Sequence, residues 1–270
     1  MRFLATRRWL LLALAVVAMA IACYYLGRWQ FHRLAETKTY NAMVERNLHA
    51  PAAPVQAVMH RGGDLNPNEE WRRVQAVGTF DPRRSVIVRY QTRRGVPGVD
   101  VLTPLRTPAG AAILVDRGWV QANNAAVKPK VPPPPSGRVH MVGWARANGT
   151  GDSTLVVDRS TRAISSTSIA KVLPYPVYGG FVDLASLTPK PAHPLVHAEM
   201  PSLGDGPHFF YGVQWWFFGV LAIGGFIYLA YDEKKRPRAD LDEQQAAASQ
   251  RPEHAAVDGQ HHAGHEARGG

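Results

Sequence analysis

The chain has 270 residues, 46% of them hydrophobic and 19% charged, with a formal net charge of +10; that content excludes a wholly disordered chain. The positive excess lies mostly in residues 28–208, which carry 22 Lys and Arg against 13 Asp and Glu and stand between two apolar runs. A basic surface in that position points to anionic lipid or an acidic partner rather than to nucleic acid. The single cysteine, Cys23, lies in the first apolar run, which excludes an intrachain disulfide and any cysteine metal site outside it.

Residues 1–8, MRFLATRR, are basic, and 9–27 form an uncharged run of nineteen residues, just long enough to span a bilayer. Arg2, Arg7 and Arg8 precede this run, while Lys234, Lys235, Arg236 and Arg238 follow the second one. The positive-inside rule then places both termini in the cytoplasm and the segment between the spans outside. AIAC at 20–23 partly resembles a lipoprotein cleavage site, but Ala20 stands where a larger aliphatic is usual and the apolar pattern continues through Tyr24, Tyr25 and Leu26. The run is therefore read as a retained span.

Residues 28–70 are expected to be a helical extension followed by a loop. LGRWQFHRLAETKTYNAMVERNL has no Pro, and no Gly after Gly27, so the helix continues out of the membrane, while HAPAAPV and GGDLNPNEE within 49–70 carry loop chemistry. From Trp71 the periodicity becomes that of strands. WRRVQAVGTF (71–80), SVIVRYQ (85–91), VDVLTPLR (99–106), AAILVDRGWV (111–120) and RVHMVGWAR (138–146) are short, β-branched and separated by Gly and Pro clusters. VVD (156–158) and GGFVDLA (179–185) are later strand candidates, and 167–173 reads as one short helix ended by Pro174. Five prolines between 189 and 207 lead on without regular structure. The expected fold is a membrane protein with two transmembrane α-helices flanking an extracytoplasmic β-rich domain at 71–207, an antiparallel meander or small barrel.

The second span is placed at 208–231. The run from Phe209 to Tyr231 has twenty-three residues, reaching roughly 34 Å, and has aromatics at both ends as two membrane interfaces require. The polar 232–270 tail is expected to be a disordered, His-rich cytoplasmic segment in which His254, His261, His262 and His265 offer at most weak metal binding.

No P-loop, dinucleotide fingerprint, HExxH pair or nucleophile elbow occurs, and GDSTL at 151–155 lacks the glycine-flanked turn that exposes a serine nucleophile. No enzyme activity is expected. His193 and His197 stand four apart, but Pro194 between them breaks a helix, and as strand residues they would be roughly 13 Å apart. His208 differs because it stands at the mouth of a span. Positions 208, 211, 212, 215, 219 and 222 share one helical face, reading His, Tyr, Gly, Trp, Gly, Ala. One reading of that face is a haem pocket, with a neutral imidazole as ligand, Tyr211 and Trp215 as its walls and Gly212 leaving room for a flat group. The other is an interfacial His whose neighbours Gly212 and Gly219 form a packing seam against the first helix.

LGRWQFHR after the first span, WRRVQAVGTF, the block from GVPGVDVLTPLR to ILVDRGWV, and PHFFYGVQWWFF at the second span stand in the order and spacing of a known family. Together they resemble the surfeit-locus family of cytochrome c oxidase assembly factors, over about residues 9–231. Trp29 and Gln30, Arg117 to Trp119, and His208, Tyr211, Gln214 and Trp215 carry the resemblance. It implies a two-span protein of a bacterial plasma membrane that binds haem a and helps deliver it to oxidase subunit I, with His208 as the iron ligand. Tyr211 and Trp215 would line the porphyrin, and Arg117 would be a candidate partner for propionates. Subunit I, haem a synthase and membrane lipid are the partners implied; a cofactor-free scaffold for subunit I is the alternative. The Pro-rich insert 129–135 and the tail lie outside the pattern.

Overall fold

The structure, a computed structural model, describes residues 5–122 and 130–249, the side chains of 236–249 excepted. The His-rich end of the tail and part of the Pro-rich insert lie outside the described residues. The chain divides into two compact units, one of Met1–Leu34 with Gly206–Gly270 and one of Ala35–Asp205.

The first unit holds a pair of helices. Helix α1, Arg7–His49, is unbroken over 43 residues, or roughly 65 Å at 1.5 Å per residue, so the helical extension expected after residue 27 is continuous with the span; its residues up to Leu34 belong to this unit and those from Ala35 to the second. Its partner α4 covers His208–Ser249. Both contain stretches long and apolar enough to cross a membrane, within Arg7–His49 and His208–Lys235. Leu10, Leu14, Val17, Phe210, Val220 and Ile227 are exposed; apolar side chains turned outward suit a lipid-facing surface, which needs no burial in protein.

The inner faces meet along small residues. Trp9 packs edge-on against Phe226 at 5.8 Å, and Phe31 against Phe209 at 6.1 Å. A Cβ on Gly219 would sit 3.3 Å from that of Cys23. Partner numbers fall along α4 as they rise along α1, so the helices are antiparallel. The expectation of a disordered segment from residue 232 is corrected up to Ser249: α4 runs on through DEKKRPRADLDEQQAAAS. The reason lies in Glu, Gln, Arg and Ala, all strong helix formers; Pro237 removes one main-chain donor without ending the helix.

The second unit is a small closed β-barrel. Its strands are β1 (Ala53–Pro54), β2 (Arg73–Phe80), β3 (Val86–Arg93), β4 (Val96–Arg106), β5 (Ala112–Gln121), β6 (Arg138–Arg146), β7 (Ser160–Thr161) and β8 (Phe181–Thr188), with short helices α2 (Val55–Val58) and α3 (Ser166–Ala170). The strand order is β1-β2-β6-β8-β5-β4-β3-β7, and β2 also pairs with β4. That last pairing, Thr79 with Arg106 and Phe80 with Leu105, closes a ring of β2, β6, β8, β5 and β4. The ring is not a simple meander, because β5 and β8 run parallel. At the seam Gly78 is required: a Cβ there would run into the Arg106 carbonyl.

Alternation along the strands sends Val74, Ala76, Phe80, Leu105, Ile113, Val115, Val139, Met141 and Leu184 into the interior. The opposite faces of β3 to β5 bury Val86, Val88, Leu102, Ala112 and Leu114 beneath Ile164, Ile169 and Val177. Strands β4 and β5 are thus covered on both sides, which is why their sequences read as continuous apolar runs rather than alternating ones.

Two local expectations are corrected. The stretch 49–70 is more than loop: β1 pairs parallel with Val74 and Gln75 of β2, and Val55, Val58, Met59 and Leu65 join the interior core. Side-chain amides also hold this region, with Asn47 donating to the carbonyls of Asn68 and Glu70 at 2.8 and 2.9 Å. The strand expected at 156–158 is only an isolated bridge, Val157 with Ser160, around a two-residue turn.

Candidate functional site

Pro207 and Gly206 lead into α4, and His208 is its first residue. An imidazole at a helix start lies on no completed turn, so a neighbour must orient it. That neighbour is Gln30 on α1: His208 Nδ1 stands 3.0 Å from Gln30 Oε1. An amide oxygen only accepts, so Nδ1 carries the proton and donates. In the neutral ring the lone pair is then on Nε2, which has no hydrogen-bond partner among the described residues. A ligating histidine has this arrangement, in which the second nitrogen fixes tautomer and ring direction.

The approach to Nε2 is kept clear by Gly206. A Cβ on that residue would lie 3.5 Å from Nε2 and 3.3 Å from Cδ2, and its φ of +66° favours glycine.

The other expected face residues diverge. Gly212 does not open a slot for a flat group, since a Cβ there would strike the Phe31 ring. Phe31 also lies 4.8 Å from the Trp216 ring centre. Gly212 and Gly219 are therefore part of the seam against α1. Tyr211 points outward and is 48% exposed. Trp215 is half-buried, edge-on to Phe218 at 6.1 Å. The aromatic surface left open near His208 comprises Phe209, Phe210 and Tyr211.

Arg117 belongs to the barrel unit, on β5. It is 4% exposed and donates from Nη2 to the Pro132 carbonyl at 2.8 Å. Burial lowers its guanidinium to about 10, and no described carboxylate pairs with it. The rest of the block is structural. Gly118 N–H donates to Asp116 Oδ1 at 2.9 Å, and the Trp119 indole donates to the Gln91 carbonyl at 2.9 Å. Main-chain bonds tie Trp119 to Val196 of the proline-rich segment.

Asp116 lies among other buried acids. Burial, then the charges of Asp100 and Asp183, push its carboxyl well above the usual range. Asp100 is paired with Arg93 at 2.8 Å and Asp183 with Arg146 at 2.5 Å. Burial still raises both carboxyls.

Four residues near His208 had no role assigned from sequence: Gln30, Phe31, Trp216 and Gly206. Cys23, Gly27 and Gln30 recur at helical spacing as the small or polar residues of an apolar helix, the pattern that marks a helix-packing face. Gly206 had no such signal.

Comparison with known proteins gives a consistent assignment. A family model described as the SURF1 family matches residues 17–220. An uncharacterized SURF1-like protein of Mycobacterium bovis is 30% identical over 244 residues, covering 88% of this chain and 89% of that protein. One of Mycobacterium tuberculosis matches to the same extent. The cytochrome oxidase assembly protein SHY1 of Saccharomyces cerevisiae is 29% identical over 110 residues, 40% of this chain and 28% of the yeast protein. With most of its length inside the family match, the chain belongs to the SURF1 family.

Proposed function

We propose that this protein is an assembly factor for an aa3-type cytochrome c oxidase, binding haem a transiently at the mouth of its helix pair and assisting delivery into subunit I. It would sit in a bacterial plasma membrane with both termini cytoplasmic and the barrel outside, acting as a carrier and not as an enzyme. The role in oxidase assembly is carried over from the yeast relative's name and from family membership.

The observation that carries the haem reading is the hydrogen bond from His208 Nδ1 to Gln30, which leaves Nε2 as a directed lone pair beside the side-chain-free Gly206. When bound, haem would supply an iron centre able to accept that lone pair. Gln30 holds the tautomer and orients the ring, and Gly206 leaves the approach open. The exposed rings of Phe209, Phe210 and Tyr211 offer apolar surface, and Trp215, half-buried one turn deeper, would extend it. Arg117, which the resemblance offers for a propionate, is buried in the barrel unit with its guanidinium donating to the Pro132 carbonyl, and it is left out of the proposed site. A single imidazole holds less firmly than a pair, as handing on requires. Haem a synthase is a further candidate partner, as the source of the group.

The filled seam at Gly212 favours a second reading, a cofactor-free scaffold for subunit I. Co-purification separates the two. In the carrier reading, His208→Ala keeps subunit I bound while the haem signal of the preparation disappears. Equal haem in both preparations would discard the carrier reading.

A further inference from the structure

The barrel carries a basic groove that none of these roles uses. Its origin is in the register at the seam. Thr79 of β2 pairs with Arg138 of β6 on one side and with Arg106 of β4 on the other. Directly paired residues face the same way, and here they face outward: Thr79, Arg106 and Arg138 are exposed, while the next positions, Phe80, Leu105 and Val139, are buried. With strands about 4.8 Å apart, the two arginines are rooted roughly 10 Å from each other. Arg83, on the 3₁₀ turn Pro82–Arg84 that follows β2, lines the same groove, whose volume is about 620 Å³.

Among the described residues none of these three guanidiniums has a carboxylate partner. The groove's one acid, Asp81, accepts instead from the Tyr175 hydroxyl at 3.0 Å. The Arg106 guanidinium lies 5.3 Å from the Tyr175 ring centre, a cation–π contact that leaves its N–H donors free for an anion.

We propose that this face of β6, β2 and β4 docks an acidic segment of a partner protein, whose carboxylates are taken by Arg83, Arg106 and Arg138. Guanidinium is the cation matched to carboxylate in geometry, through paired N–H donors. The spread of the arginines suits successive carboxylates of a peptide better than one compact phosphate. A bilayer is the poorer fit, because a membrane-inserting surface presents exposed apolar side chains and none of the large apolar residues lining the groove is exposed.

The test uses the purified full chain in detergent micelles and a fluorescently labelled octapeptide of alternating Glu and Thr, read by anisotropy. The wild type binds it, affinity falls as salt rises, and the Gln-for-Glu peptide does not compete. Arg106→Gln with Arg138→Gln lowers affinity about tenfold, and the double variant still melts cooperatively, lowered by no more than the loss of the Tyr175 cation–π contact costs. Arg106→Glu with Arg138→Glu transfers binding to the Lys-for-Glu peptide. Unchanged affinity in the Gln variant overturns the proposal. So does competition by inorganic phosphate at equal charge, or an arginine-dependent preference for phosphatidylglycerol nanodiscs with no peptide binding, which assigns the groove to lipid.

Discussion

Replacing Asp116 with Asn should stabilise the barrel at neutral pH and flatten its pH dependence. Asp116 is 4% exposed and faces Asp183 directly across β5 and β8. Its carboxyl is raised well above the usual range by burial first, then by Asp100 and Asp183, with the Gly118 N–H as the main opposing influence. A carboxyl raised in the folded state holds its proton to higher pH than the unfolded chain does. Its contribution to stability is therefore complete below the ordinary carboxylate range and is lost as pH rises through the raised value. Asp100 and Asp183 are raised in the same direction, against the pull of Arg93 and Arg146. One proton released per molecule gives a limiting slope of about 1.4 kcal/mol per pH unit. For a unit the size of Ala35–Asp205, that is roughly 3–5 °C in melting temperature per pH unit. Asn keeps an oxygen to accept from Gly118 and carries no charge. Thermal melts of the full chain in detergent, followed by tryptophan fluorescence between pH 5 and 8, should show wild type losing stability as pH rises. Asp116→Asn should be the more stable at pH 8, with the difference closing toward pH 5. A wild-type melt that rises with pH, or a variant that keeps the wild-type slope, refutes the reasoning.

Arg146→Met leaves Asp183, 2% exposed, without its 2.5 Å partner and strips the cation lying 3.8 Å from the Trp71 ring centre. The expected cost is about 3–5 kcal/mol at pH 7, a melt lower by roughly 10 °C, and a smaller deficit at pH 5 as Asp183 takes a proton; equal deficits at both pH values would count against the ion-pair account. Gly206→Ala places a Cβ at φ +66°, 3.3 Å from His208 Cδ2 and against Nε2, on the side from which a ligand would approach. Haem affinity measured by titration should fall about tenfold or more, beyond the loss of about 1 kcal/mol in stability that alanine at positive φ costs; unaltered affinity would remove Gly206 from the site.

The strands from 71 to 146 were legible because β-branched runs punctuated by Gly and Pro leave few alternatives, and both apolar helices stand out by length. What escaped was set by distant contacts. The two-residue strands β1 and β7 and the four-residue α2 are too short to carry a period; Ala53 and Pro54 become strand only because β2 lies alongside. The ring order, with β6 and β8 between β2 and β5, follows from pairing choices that no local pattern records. The continuation of α4 was legible in its helix formers, but a polar composition pointed the other way. At the site, His208 and Gln30 both stood out in motifs; their bond joins residues 178 positions apart and needs the antiparallel crossing of α1 and α4 to appear. The filling of Gly212 by Phe31 depends on the same crossing, so spacing along α4 alone left that face open to two readings.

Ligation of haem by His208 is tested most directly by titrating the purified full chain with haem a in detergent and following the Soret band. The expected result is saturable binding with the spectrum of a histidine-ligated haem in wild type and its loss in His208→Ala, whose melt matches wild type. The same band position and the same stoichiometry in both proteins would contradict the account.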